Sequence, residues 1–212
     1  MTDKINFILG VDDIFKAPSK MLEILLNREH RESVFVQFLK LFNYKLHEDF
    51  WHNYFQEEAA QRKKMAQDFT PMSVAGLVSE LVHESGMYYE PAAGTGGMMV
   101  AQWQSDRCQH DPINYKPSQY LYICEELSDR AIPFLIFNMA IRGMNGAVIH
   151  CDTLTRECYG VFFVQNDKDY TFGFSSVNVM PYSKASEDYF NVKFVAEKYP
   201  AHIESPNPFA VR

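Results

Sequence analysis

The ten residues Glu90-Pro91-Ala92-Ala93-Gly94-Thr95-Gly96-Gly97-Met98-Met99 constrain the fold more than any other stretch of the chain. Apolar and aromatic residues lead in at Met87-Tyr88-Tyr89 and an acid closes the run. Three glycines within four positions then let the backbone approach a ligand closely before a helix starts near Met98. Strand, acid, tight glycine turn and helix, in that order, is how a doubly wound sheet holds a nucleoside cofactor. A triphosphate-binding loop fits poorly, because no Lys-Ser/Thr pair follows the glycines, and the spacing is not the dinucleotide G-x-G-x-x-G. Taken alone, the same residues serve equally as a plain strand-to-helix connection.

Two further apolar runs repeat the pattern. Leu121-Tyr122-Ile123-Cys124 ends in Glu125-Glu126, so one carboxylate emerges at the carboxyl end of a second parallel strand, where it can accept both hydroxyls of a ribose. Ala147-Val148-Ile149-His150-Cys151 ends in Asp152, which either accepts a hydrogen bond from an adenine amino group or caps a turn. Its place at the end of a third strand on the same edge favours binding. Glu125 reads as a solvated acid at a helix start near Ser128. His150 and Cys151 read as packed rather than catalytic.

These segments resemble the adenine-N6 DNA methyltransferases, most closely the modification subunits of type I restriction systems. Glu90 to Met99 is similar to that family's D-P-A-C-G-T-G-G-F-L cofactor loop, with Glu for the leading acid and Ala93 for the usual Cys. Upstream, Gln67-Asp68-Phe69-Thr70-Pro71 resembles G-Q-F-Y-T-P, which folds over the methionine end of S-adenosylmethionine. Downstream, Glu125-Glu126-Leu127-Ser128-Asp129 and then Asn138-Met139-Ala140-Ile141-Arg142-Gly143 resemble Q-E-L-N-P and M-N-L-A-I-R-G, and Asp152-Thr153-Leu154 resembles G-D-T-L. The resemblance implies a Rossmann-like α/β sheet that binds S-adenosylmethionine. Phe69, Thr70, Pro71, Glu90, Ala92, Gly94, Thr95 and Gly96 would hold the methionine end, Glu126 and Leu127 the ribose side, and Asp152 and Thr153 the adenine edge.

The family's fourth strand departs from the pattern. It ends in Asn-Pro-Pro-Tyr or Phe, whose Asn accepts hydrogen bonds from the target adenine's amino group while the aromatic ring stacks on the flipped base. Here the corresponding stretch is Val177-Asn178-Val179-Met180-Pro181-Tyr182. Matching Pro181-Tyr182 to the last two motif residues puts Val179 at the catalytic Asn position, and valine accepts no hydrogen bond. Asn178, Pro181 and Tyr182 are the candidate catalytic residues, with Asn178 aimed to the opposite side unless a bulge turns it. Three functions compete: an adenine-N6 DNA methyltransferase of a restriction-modification or phage type; a methyltransferase-like binding or regulatory protein that keeps the cofactor pocket without catalysis; and a small-molecule or protein methyltransferase.

Composition and charge bound the rest. At 212 residues and 47% hydrophobic the chain can bury one main core. We divide it into an N-terminal helical segment, 1–66, and a methyltransferase-like domain, 67–212, with a sheet cut short at the C-terminus. Helices are expected over 18–26, 33–42, 47–65 and 72–85, with the aromatics Phe50, Trp51, Tyr54 and Phe55 serving as core or as a docking face. A hairpin turn is expected at Asn166–Asp169 between strands at Val161–Val164 and Tyr170–Phe174, followed by a helix over 184–198. No run approaches the roughly 20 apolar residues of a membrane span, and Met1–Asn6 lacks a signal-peptide pattern, so a cytoplasmic protein is expected. The four cysteines lack C-x-x-C spacing and read as reduced, packed thiols, with no metal site. A net charge of −7 works against unaided binding to a phosphate backbone. The basic cluster Gln61-Arg62-Lys63-Lys64 reads as a solvated helix end, so a DNA substrate implies a separate recognition subunit or other protein partner supplying much of the grip.

Overall fold

The computed structural model describes residues 1–55, 74, 86–111 and 114–205. The 66/67 boundary, the basic cluster at 61–64, Phe69-Thr70-Pro71, the end of the helix expected over 47–65 and, Val74 apart, the helix expected over 72–85 lie outside these residues. Three N-terminal helices, α1 (Thr2–Leu9), α2 (Ala17–Leu25) and α3 (Arg28–Leu41), precede β1 (Met87–Glu90) and α4 (Gly97–Cys108). Then follow β2 (Leu121–Glu126), α5 (Ile132–Ile141), β3 (Gly146–Cys151), β4 (Glu157–Gln165), β5 (Ser176–Val179), α6 (Lys184–Phe190) and β6 (Lys193–Phe194).

The sheet runs β1-β2-β3-β4-β5, with β6 beside the start of β4. The first three strands are parallel, with Glu90 opposite Cys124 and Glu126 opposite His150. Their acids therefore emerge on one carboxyl edge. β4 and β5 then pair antiparallel, so the reversal comes one strand earlier than the sequence suggests, directly after β3. The turn at Asp152–Arg156 makes it. Asp152 Oδ1 accepts the Leu154 and Thr155 amides at 2.8 and 3.1 Å, and Arg156 adopts φ 64°.

The expected hairpin strand at Tyr170–Phe174 does not form. Asn166 Nδ2 donates to the Gly143 and Tyr170 carbonyls and Thr171 Oγ1 to the Tyr115 carbonyl, which holds this stretch as a loop until β5 begins at Ser176. The helix expected over 184–198 stops at Phe190, where Asn191 takes the left-handed conformation at φ 51°. α3 begins earlier than expected, at Arg28, because the Asn27 side chain caps it by accepting from the His30 amide at 3.1 Å.

One core joins the N-terminal helices to the sheet. α5 reads Ile-Pro-Phe-Leu-Ile-Phe-Asn-Met-Ala-Ile and is buried on every side, as a helix apolar all round must be. It lies between the sheet and α2, and its Phe134 and Phe137 rings pack edge-on or tilted against Trp51, Phe35 and Phe38. Phe50, Trp51, Tyr54 and Phe55 are all buried in this core. The second face of the sheet carries a smaller cluster, Ala147, Ile149, Val161, Phe163, Phe190 and Val192 among them, under α6 and β6. All four cysteines are free, with Cys124, Cys151 and Cys158 buried. Among the described residues no helix is long and apolar enough to cross a membrane, and no group of His, Cys, Asp and Glu is placed to hold a metal ion.

Candidate cofactor site

The carboxyl edge of β1, β2 and β3 carries the expected binding residues from Glu90 to Gly96, Glu126, Leu127, Asp152 and Thr153, while Phe69, Thr70 and Pro71 lie outside the described residues. After β1 the chain turns through Ala92 at φ 59°, Gly94 at φ 57° and Gly96 at φ 91°. A Cβ at Gly96 would lie 2.7 Å from Leu135 Cδ1, so this glycine serves close packing as well as backbone freedom. The Ala93 amide donates to the Glu125 carbonyl at 2.9 Å, fastening the loop to the end of β2.

Glu126 is buried and faces the loop. One of its oxygens accepts the Gly94 amide and the other the Ser128 amide, both at 2.7 Å. An ionised carboxylate offers about four acceptor positions, so each oxygen keeps one lone pair for a ligand hydroxyl. Leu127, the next residue, is exposed on the same edge. This is the chemistry a ribose diol requires.

Glu90 is the second acid. It is 9% exposed and accepts the Tyr88 hydroxyl at 3.0 Å. Burial is the main cause that pushes its carboxyl up to about 7, against the opposing Tyr88 and Met99 hydrogen bonds, with the Glu126 charge adding to the rise. A ligand ammonium would reverse that shift, and the methionine end of S-adenosylmethionine carries one. The residues present therefore fit the group that the sequence resemblance implies.

Asp152 and Thr153 follow β3 on the neighbouring position of the edge. Asp152 caps its turn through Oδ1, while Oδ2 has no hydrogen bond among the described residues. Turn capping and ligand binding are thus compatible for this side chain. The Thr153 side chain helps to hold the Glu125 carboxyl low. Glu125 itself is a correction to the sequence reading: it is not a solvated helix-start acid but is 2% exposed and paired with Arg156 at 2.7 Å. Burial raises its carboxyl, and the Arg156 and Thr153 hydrogen bonds outweigh burial and hold it below the ordinary value.

The candidate catalytic residues lie elsewhere. Asn178 is on β5, four strand positions from β1, roughly 19 Å at the usual strand spacing. It is fully buried, and both ends of its amide are engaged. Nδ2 donates to the Phe163 carbonyl and Ser205 Oγ, while Oδ1 accepts the Glu204 and Ser205 amides. Asn178 pins the C-terminal segment to the sheet. Pro181 is exposed, and the Tyr182 hydroxyl donates to the Tyr159 carbonyl and accepts the Tyr199 amide. Neither Asn178, Pro181 nor Tyr182 contacts the glycine loop.

Sequence reasoning missed three buried contacts around the site. His150, beside Glu126 in the sheet, shares its ring nitrogens with Tyr199 Oη at 2.6 Å and, on the other side, the Leu127 carbonyl at 3.1 Å and Asp129 at 3.0 Å. Burial lowers its pKa. Arg142 is buried and donates to the carbonyls of Leu46, Glu48 and Asn138. Burial pulls it down to about 9, still above neutrality, so it keeps its charge. Asp49 accepts hydrogen bonds from Thr95 in the glycine loop and from Asn138. A signal existed for the last two: Asn138 and Arg142 are spaced four apart in an otherwise apolar run, and buried polar groups require partners.

Fold, glycine loop and edge acids are consistent with a Rossmann-like methyltransferase fold. The sequence matches the N-6 DNA Methylase family over residues 45–197, most of the chain, and the chain belongs to that family. A search of curated proteins gives no match.

Proposed function

We propose that this chain binds S-adenosylmethionine on the carboxyl edge of β1–β3 and acts as a DNA adenine-N6 methyltransferase-like protein of a restriction-modification or phage type, akin to a type I modification subunit. The observation that carries the reading is the pair of buried acids flanking one glycine loop, Glu126 bonded to the Gly94 amide and Glu90 without a cationic partner among the described residues. Glu90, Ala92, Gly94, Thr95 and Gly96 hold the methionine end, with Phe69, Thr70 and Pro71 contributing from the preceding segment. Glu126 and Leu127 hold the ribose, and Asp152 and Thr153 the adenine edge. Bound S-adenosylmethionine would supply an electrophilic methyl group, and the part of these residues would be to hold and orient it. DNA is gripped with a separate recognition subunit or another protein, since the net charge of −7 disfavours unaided binding.

A second reading has its own support: a family member that keeps the cofactor pocket without catalysis, acting as a binding or regulatory protein. Val179 is buried in the core, and Asn178 has both amide ends engaged in structural hydrogen bonds. Two measurements separate the readings. Calorimetry with S-adenosylmethionine on the purified protein and its Glu126→Ala variant tests the pocket, and equal affinity in the two sinks it. Mass spectrometry for N6-methyladenine in DNA from a methylation-deficient host expressing the chain, with and without a recognition subunit, tests catalysis. Methylated adenine removes the second reading, and binding without methylation in either case favours it.

A further inference from the structure

The segment before Trp51 reaches into the glycine loop from outside the sheet. Asp49 uses both carboxylate oxygens there. Oδ2 accepts Thr95 Oγ1 at 2.9 Å, and Oδ1 accepts Asn138 Nδ2 at 2.8 Å and the Trp51 amide at 3.0 Å. Asn138 Nδ2 also donates to the Thr95 carbonyl at 2.8 Å, so the loop residue is held at its side chain and its backbone by one connected group. Thr95 is 1% exposed and Asn138 fully buried. The anchor is itself anchored: Arg142 holds the Leu46 and Glu48 carbonyls at 2.8 and 2.7 Å and Asn138 Oδ1 at 2.8 Å, with its guanidinium over the Phe50 and Trp103 rings.

We propose that Asp49 is a positioning residue for the cofactor loop, fixing Thr95 and hence the flanking Gly94 and Gly96 backbone in the conformation that receives S-adenosylmethionine. The inference rests on the cofactor reading above and adds a residue from the N-terminal helical segment to the site. The physical need is clear in the dihedrals. Ala92, Gly94 and Gly96 all sit at positive φ, and glycines visit many other conformations at little cost. A loop of that composition is preorganised only if something outside it restrains it, and ligand affinity falls by the fraction of time the loop spends elsewhere. Charge-assisted hydrogen bonds from a carboxylate are among the stronger restraints available. Asn138 and Arg142, the two polar residues of the otherwise apolar α5 region, gain their purpose from the same network.

The test uses the full chain and two readouts. Amide hydrogen exchange on Asp49→Ala should speed at Gly94, Thr95 and Gly96 relative to the amides of β3, whereas a merely structural loss would speed both together. Calorimetry with S-adenosylmethionine should show affinity reduced roughly tenfold in Asp49→Ala and in Thr95→Val, within about twofold of wild type in Thr95→Ser, and no further loss in the Asp49→Ala/Thr95→Val double variant. A core variant on the other face of the sheet, such as Val161→Ala, should bind as wild type does. Loop exchange unchanged relative to β3, or additive losses in the double variant, overturns the role of Asp49. Failure of the wild-type protein to bind S-adenosylmethionine overturns the cofactor reading instead, and the exchange experiment then still decides whether Asp49 restrains the loop.

Discussion

Replacing Glu90 with Gln tests whether the acid closing β1 opposes the fold that contains it. Burial raises its carboxyl from 4.5 to about 7. A shift of about 2.5 units corresponds to about 3 kcal/mol of preference for the protonated form in the folded state. The sign follows from linkage: the folded protein holds this proton more tightly than the unfolded chain, so the contribution to stability is greatest below about pH 4.5. It declines as pH rises between the two values and levels off above about pH 7. Gln keeps the acceptor for the Tyr88 hydroxyl and removes the titration. Urea unfolding of both proteins should therefore show the Glu90→Gln variant gaining on wild type by about 3 kcal/mol between about pH 4.5 and about pH 8.5, the other carboxylates cancelling in the difference. The same variant should bind S-adenosylmethionine more weakly, because the cation it offers loses its counter-charge. A stability difference flat in pH would refute the assignment of a buried, strained carboxylate to this position.

Asn178→Ala should destabilise the protein by about 2–4 kcal/mol in chemical denaturation, since it leaves the Phe163 carbonyl and the Glu204 and Ser205 amides without their partner. It should leave S-adenosylmethionine affinity within about twofold of wild type, and a large loss of affinity would return Asn178 to the site. Arg31 and Glu204 form a buried bidentate pair at 2.6 Å that joins α3 to the C-terminal segment. Arg31→Met alone should cost about 3–5 kcal/mol by leaving the buried carboxylate only the His202 ring and the Val177 amide, and Arg31→Met/Glu204→Leu should recover part of it; no recovery would show that the cost lies in packing.

The legible parts of the molecule were those written in adjacent residues. An apolar run, a closing acid and a glycine cluster specify β1 and its loop within a dozen positions, and the runs before Glu126 and Asp152 repeat the grammar. Of the two readings open for the aromatics from Phe50 to Phe55, core or docking face, the structure has the core. What escaped depends on pairing across long separations. The reversal after β3 rests on Arg156 at positive φ, a conformation that arginine does not advertise in a sequence. Glu125 read as a surface acid because its partner, Arg156, lies on the far side of that same turn. Asn191, the kind of residue that after Gly best tolerates the left-handed conformation, ends α6 well short of the expected position 198.

The turn at Asp152–Arg156 has a consequence for the fourth-strand motif that a single substitution tests. Because β4 runs back down the side of β3 away from β1, β5 rises on the far flank of the sheet, and Val179 pairs with Phe162 and bridges to His202 within the main core. Matching the sequence to the family suggests that Val179→Asn restores a catalytic amide. In this topology the amide would instead enter a pocket of apolar side chains, costing about 1–3 kcal/mol for a polar group without a hydrogen-bond partner. The motif position on β5 therefore does not lie beside β1 in the described sheet. Thermal unfolding and N6-methyladenine analysis of Val179→Asn should show a lower Tm and no gain in methylation over wild type. A gain in methylation at unchanged stability would refute the reading of Val179 as a buried core position.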